Sequence, residues 1–239
     1  MTTRRQFLQH TLAGCTLGMM WGKSMRSYAA GGVKSSPDVI VYQGEYPGWP
    51  WIITTEDGPM YCVFREGAEH GYSASGRIML ARSRDKGQSW SPARVIIDKP
   101  EVDDRNVAIT ELAKGELLLC YNEYTAEHES QAMTSRSTDG GETWSTPEPI
   151  GRDNTRTRAA VVSLADGTLL LPLYQAPGNG AIAAISNDWG VTWRTVDIPD
   201  TEGFVGDEWD LLEMSAGRLV GLSRNNIRGS DGYFWQIES

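Results

Sequence analysis

Residues able to bind or transform a ligand fall in this chain at fixed distances from four turn glycines, Gly58, Gly115, Gly167 and Gly217. Nine positions before these glycines stand Trp49, Asn106, Arg158 and Glu208, and seven positions after them stand Arg65, Asn122, Tyr174 and Arg224. An inner strand buried on both faces ordinarily carries aliphatic side chains there. Polar and aromatic residues in one shared register therefore predict a common funnel that binds a ligand. Glu208 and Arg224 are the pair with the most chemistry in it. A carboxylate can take a proton as general base, and a guanidinium can grip a ligand carboxylate through two parallel N–H bonds. The plainer reading of the same pair is an ion pair across a hairpin.

The elements that must position these residues repeat. The pattern S-x-D-x-G-x-[ST]-W occurs at Ser83–Trp90, Ser137–Trp144 and Ser186–Trp193, with the serines 54 and 49 residues apart. A period near fifty marks a repeat architecture in which each unit buries its apolar face on its neighbours. Within each unit an apolar run leads to the turn glycine, and a second follows it: Met60–Phe64, Glu116–Tyr121, Thr168–Tyr174 and Leu219–Ser223. Such short runs bounded by turn residues read as hairpins. A third strand enters each box (Ile78–Arg82, Ala132–Arg136, Ala181–Ile185), and a fourth leaves it (Ala93–Asp98, a weak one near Pro149, Thr195–Ile198). Four antiparallel strands per unit make the blade of an all-β propeller. Antiparallel order puts the glycine turns and the boxes on one rim. Asp85, Asp139 and Asp188 are then structural, and functional residues belong on the opposite rim.

The boxes are similar to the Asp boxes of the sialidase-like (BNR repeat) superfamily, which the chain resembles from about residue 38 onward. The resemblance implies a six-bladed β-propeller, of which this sequence holds three complete blades and part of a fourth, with about two more expected beyond Ser239. The alternative is a closed four-bladed ring with Asp38–Gln43 as the missing outer strand. The segment Glu208–Arg224 resembles the family stretch in which Glu activates a tyrosine nucleophile and Arg joins a three-arginine cluster around the sugar carboxylate. Carried over, Glu208 is catalytic and Arg224 binds substrate; the tyrosine and the third arginine are expected beyond Ser239. The family's first-blade arginine falls near Trp49, where the chain reads Trp49-Pro-Trp51, so Arg65 is the substitute. The family's acid Asp falls in Arg65–Tyr72, a loop without Asp. Glu66, Glu69 or His70 could replace it as proton donor, as could Asp103 and Asp104 on the neighbouring rim. Arg105 and Arg158 complete the expected anion-binding set. Neither metal nor organic cofactor is expected.

The resemblance implies a glycoside hydrolase removing terminal sialic or related acidic sugars from glycans. A non-catalytic glycan-binding propeller is the second reading, and a uronic-acid-directed hydrolase or lyase using His70 is the third. Unrelated activities share this scaffold. The formal charge of −9 excludes nucleic acid as a natural partner, and residues 1–30 carry four basic residues and no acid, so the remainder is more acidic still. Arg4-Arg5 ahead of a short apolar run ending in Ser27-Tyr-Ala-Ala30 reads as a twin-arginine export signal, residues 1–30. The propeller then occupies residues 31–239, periplasmic or secreted, with no membrane attachment after cleavage. Leu12-Ala-Gly-Cys15 resembles a lipid-attachment site but lies only ten residues after Arg5. Cys62 and Cys120 are one residue out of register and should point to opposite faces as buried thiols.

Overall fold

A computed structural model describes residues 38–175, 180–199, 206–225 and 234–239. The export segment and Cys15 lie outside the described residues. Within them the chain is all β. The first blade contains β1 (Gly48–Thr54), β2 (Met60–Glu66), β3 (Arg77–Ser83) and β4 (Arg94–Ile97). The second contains β5 (Asp103–Ala113), β6 (Glu116–Tyr124), β7 (Ser130–Ser137) and β8 (Glu148–Ile150). In the third, the first strand is split into β9 (Thr155–Thr157) and β10 (Val162–Ser163), ahead of β11 (Leu169–Gln175), β12 (Ala181–Ser186) and β13 (Arg194–Asp197). The fourth sheet has β14 (Gly206–Ser215), β15 (Arg218–Asn225) and β16 (Phe234–Glu238). Every ladder is antiparallel, in the order the hairpin reading requires.

The second strands of the first three blades are buried along nearly their whole length. Both faces are covered because neighbouring sheets stack on each other. One core cluster joins Tyr61, Val63 and Leu80 of the first blade to Ile109, Leu117 and Leu119 of the second. A second joins Leu118 and Ala132 to Leu171 and Ile182, and a third joins Leu170 and Ala183 to Trp209 and Leu211. Cys120 faces the third blade, whereas Cys62 packs with Phe64 and Met79 on the side of the first sheet turned away from the second. Both thiols are free and buried, and burial pushes them up to about 12 and about 11. Residues 38–43 form no strand; Val41 and Tyr42 pack against that same outer cluster, so they do not supply the fourth sheet with a strand.

Each Asp box is closed by one repeated set of bonds. In the first, Ser83 Oγ donates to Asp85 Oδ1 at 2.8 Å, and Gly87 N donates to Ser83 Oγ at 2.8 Å. Ser89 N and Ser89 Oγ donate to the two Asp85 oxygens at 2.8 and 2.5 Å. The same bonds recur at Asp139 and Asp188. The hydroxyl and amide donors hold Asp85 and Asp188 down at about 2. The turn needs two successive positive φ angles, 60° and 82° at Lys86 and Gly87, and the second is always met by Gly.

Candidate functional site

The first strand of every blade loses register at the position nine residues before the turn glycine. In the first blade Trp49 and Pro50 together face Phe64; in the second Asn106 and Val107 face Tyr121; in the fourth Asp207 and Glu208 face Arg224. In the third blade four residues, Arg158–Val161, face only Leu171 and Pro172. Pro172 has no N–H to offer β9 or β10, and its carbonyl accepts instead from Thr157 Oγ1 at 3.1 Å. A bulge turns a side chain out of the sheet's alternation. Here it turns Trp49, Asn106, Arg158 and Glu208 into one cavity of about 600 Å³, also lined by Asn122, Tyr174 and Arg224. Trp49 and Asn106 hold φ at 48° and 56°, a left-handed backbone that non-glycine residues adopt at a cost.

Cations and aromatic rings alternate around this cavity. The Arg105 guanidinium lies 4.5 Å from the Trp49 ring centroid and 5.2 Å from that of Tyr124, and its Nη2 donates to the His70 carbonyl at 2.9 Å. Arg156 stacks on the other side of the site, 4.9 Å from Tyr124, with Nε donating to Ser130 Oγ at 2.8 Å. Arg224 is fixed from below: its Nε donates to Asp207 Oδ2 at 2.9 Å, and its Nη1 lies 3.1 Å from Glu208 Oε2. Asp207 is buried, while Arg224 is half exposed to the cavity. Tyr174 stands beside Glu208; burial, and then the Glu208 charge, pushes its phenol up to about 12. His70 lines the cavity, with Nδ1 3.1 Å from Tyr46 Oη and its ring against Trp49.

A family model described as "BNR repeat-like domain" matches residues 58–239. The chain belongs to this family. Its fold is also that of a protein of unknown function from Dyadobacter fermentans (TM-score 0.71, 18% identity, covering 83% of this chain and 68% of that one). It is shared with a Hadza microbial sialidase (TM-score 0.65, 20% identity, 82% and 45%) and with NanB sialidase from Streptococcus pneumoniae (TM-score 0.67, 12% identity, 86% and 52%). The chain thus spans about half the length of these two sialidases.

In this BNR repeat-like chain, several residues expected at the site lie outside the cavity lining. Arg65 is completely buried, with Nε and Nη2 on the two oxygens of equally buried Asp103 at 2.8 and 2.9 Å. Its Nη1 donates to the Glu69 carbonyl at 2.5 Å, and Nη2 donates also to the Gly71 carbonyl at 3.4 Å. Asp103 also accepts from Ser73 N at 3.2 Å and lies 3.4 Å from Arg105 Nη1. The pair therefore braces the His70 loop and is not brought to the cavity. Gly67 and Gly76 make room for it, because a Cβ there would lie 2.6 Å from Arg65 Cζ and 1.9 Å from Asp103 Oδ1. Glu69 is exposed and outside the cavity lining, and Glu66 turns to Glu45 N at 2.9 Å.

Asp104 is buried away from the funnel, accepting Lys99 N at 2.9 Å, and burial pushes its carboxyl up to about 7. Between its ordinary value near 4 and 7 the folded chain holds a proton that the unfolded chain has released, so stability falls as pH rises across that window. Asp104→Asn keeps the acceptor oxygen and removes the titration. Its melting temperature should match the parent's at pH 4 and exceed it at pH 8; equal melting at both would show that Asp104 is not held protonated.

The funnel residues missed in sequence were within reach of simple rules. Tyr124 follows Asn122 by two, and Arg156 precedes Arg158 by two, so period-two alternation puts each on a cavity-facing side. Asn122 does a different job, exchanging two bonds with the Thr157 backbone at 2.8 and 2.9 Å to lock the second blade to the third. Asp207, the main partner of Arg224, carried no signal beyond its place beside Glu208.

Proposed function

We propose that the funnel binds a terminal acidic sugar and that the protein is a glycoside hydrolase of the sialidase type. The observation that carries this reading is the Arg224 guanidinium, held by buried Asp207 beside Glu208 in a cavity also reached by Arg105, Arg156 and Arg158. Arg224 faces the sugar carboxylate with a fixed fork, and the stacked arginines add positive field where a desolvated anion would sit. Glu208 is the base that takes the proton of a tyrosine nucleophile. Tyr174 is not assigned that part, because its phenol is held neutral by burial. His70 is the proton donor to the leaving oxygen in its imidazolium form, with Nδ1–H donating to Tyr46 Oη, 3.1 Å away, and Nε2–H free to face the leaving group. Trp49 and Tyr124 offer apolar faces to the ring. Withdrawal of Arg65 into the scaffold favours a second reading, a propeller that binds acidic glycans without cleaving them.

Hydrolysis separates the two. The full-length protein should release the aglycone from a fluorogenic aryl α-sialoside and leave an aryl β-glucoside untouched. Arg224→Lys should raise KM for the sialoside at least tenfold, equivalent to about 1.4 kcal/mol. Binding of sialic acid without release of aglycone would leave the binding reading, and absence of both would sink the assignment.

We infer that residues 1–30 export the protein by the twin-arginine route to the periplasm or beyond. Arg4→Lys with Arg5→Lys keeps the charge but removes the guanidinium pair. The double variant should stay in the cytoplasm, and an unchanged exported yield would refute the assignment.

A further inference from the structure

The rim that carries the Asp boxes is not uniform. Between the first and second blades it opens into a cleft of about 520 Å³ lined by Arg82, Arg84, Arg94, Tyr61, Trp90 and Glu142. Arg82 lies 5.1 Å from the Tyr61 ring centroid, with Nη1 3.3 Å from Glu142 Oε1. Arg94 donates to the Gly141 carbonyl and lies 3.9 Å from Glu142 Oε2. Arg84 is exposed, and no side chain among the described residues forms an ion pair with it. Two guanidiniums thus share one carboxylate, and the third has no carboxylate partner among the described residues. The cleft stands at the ends of β2 and β3 opposite those that feed the funnel, so it is a separate place.

The repeat supplies its own control. Fifty-four residues on, Arg84 becomes Thr138, Arg94 becomes Glu148, and Arg82 becomes Arg136. Counted from the turn glycines, Tyr61 becomes Leu118, and Glu116 stands where the first blade has Pro59. At that second junction Arg136 is consumed by Glu116 and the Trp189 carbonyl. The second box keeps the same turn bonds and the same Trp with one arginine against two carboxylates. The fold therefore does not require the surplus cations at the first junction; Tyr61 is core, with its Oη donating to the Gly140 carbonyl at 2.9 Å, and the half-buried Trp90 is the aromatic side chain that borders the cleft. What the cations and Trp90 fit is a ligand with a planar anionic group and an apolar face. A guanidinium fork matches a carboxylate, and aromatic rings pack on the C–H face of a pyranose.

We propose that this cleft is a second, non-catalytic binding site for a carboxylate-bearing sugar residue of an acidic glycan. It would hold the polymer or branch on the rim opposite the funnel. The proposal rests on the cleft alone and stands whether or not the funnel hydrolyses anything.

Calorimetric titration of the full-length protein with a galacturonic acid tetrasaccharide tests it, with an uncharged galactose tetrasaccharide and inorganic phosphate as controls. The acidic tetrasaccharide should bind, and Arg84→Thr, the residue the second blade already uses, should weaken it at least fivefold without moving the melting temperature. Arg84→Thr with Arg94→Gln should weaken it further, while Arg158→Ala in the funnel should not. Sialic acid binding at the funnel should survive Arg84→Thr, so failure of the cleft and failure of the hydrolase reading are read separately. Retained affinity in the double variant, loss on Arg158→Ala, or equal affinity for phosphate would each overturn the proposal.

Discussion

Asp103→Asn is expected to cost this chain about 3–5 kcal/mol of stability, the penalty for leaving a buried charge without its partner. Both side chains of the pair are fully buried, so water cannot rescue Arg65. A single domain holds about 5–15 kcal/mol in all, so the variant should be near the edge of folding. Urea denaturation followed by tryptophan fluorescence would show the midpoint falling steeply. Replacing the pair by apolar residues, Arg65→Met with Asp103→Leu, should recover only part of the loss. Three groups depend on the pair and would be orphaned: the carbonyls of Glu69 and Gly71 and the Ser73 amide. A single variant that unfolds at the parent's midpoint would refute the burial of this charge pair.

The largest expected effect on activity is that of Glu208→Gln in the full-length protein, a loss in kcat of about 10²–10⁴-fold, the usual contribution of a positioned base. The substitution keeps the shape and one acceptor oxygen, and Asp207 still holds Arg224 from the other side. KM for an acidic sugar should therefore change little, in contrast to Arg224→Lys. The contrast carries the assignment. A purely structural ion pair predicts instead that both substitutions lower the melting temperature together, with acidic and neutral ligands affected alike. That second pattern would make Glu208 and Arg224 scaffold.

The blades were legible in sequence because their signals are local. Apolar runs, turn glycines and the box serine, aspartate and tryptophan each follow from one strand or one turn, and the bounds of the observed strands differ from the sequence-based ones by a few residues at most. The funnel was legible for a subtler reason: distance from the turn glycine survives as long as each hairpin keeps its register. The bulges break that register at the same place in three blades, so equivalent positions stayed equivalent. Arg65 was misjudged because burial is not local. Its register matches Arg224, yet Asp103 of the next blade, 38 residues on, pulls it under the loop. Arg224 finds its carboxylate on its own hairpin partner instead, and stays open to the cavity. Asp207 and Asp103 do similar work for different arginines, and only the packing of neighbouring blades tells which arginine remains free.

The bulges have a bearing on how such a protein changes over generations. A bulged residue stands outside the ladder, so its identity is decoupled from the hydrogen bonds that keep the blade together. Trp49, Arg158 and Glu208 occupy such places, and so does Asn106. Selection can therefore rewrite the ligand preference of the funnel one letter at a time, blade by blade, while the framework beneath stays fixed. Asn and Gly are the cheapest newcomers where φ is positive. A scaffold of this kind separates the part that persists from the part that explores.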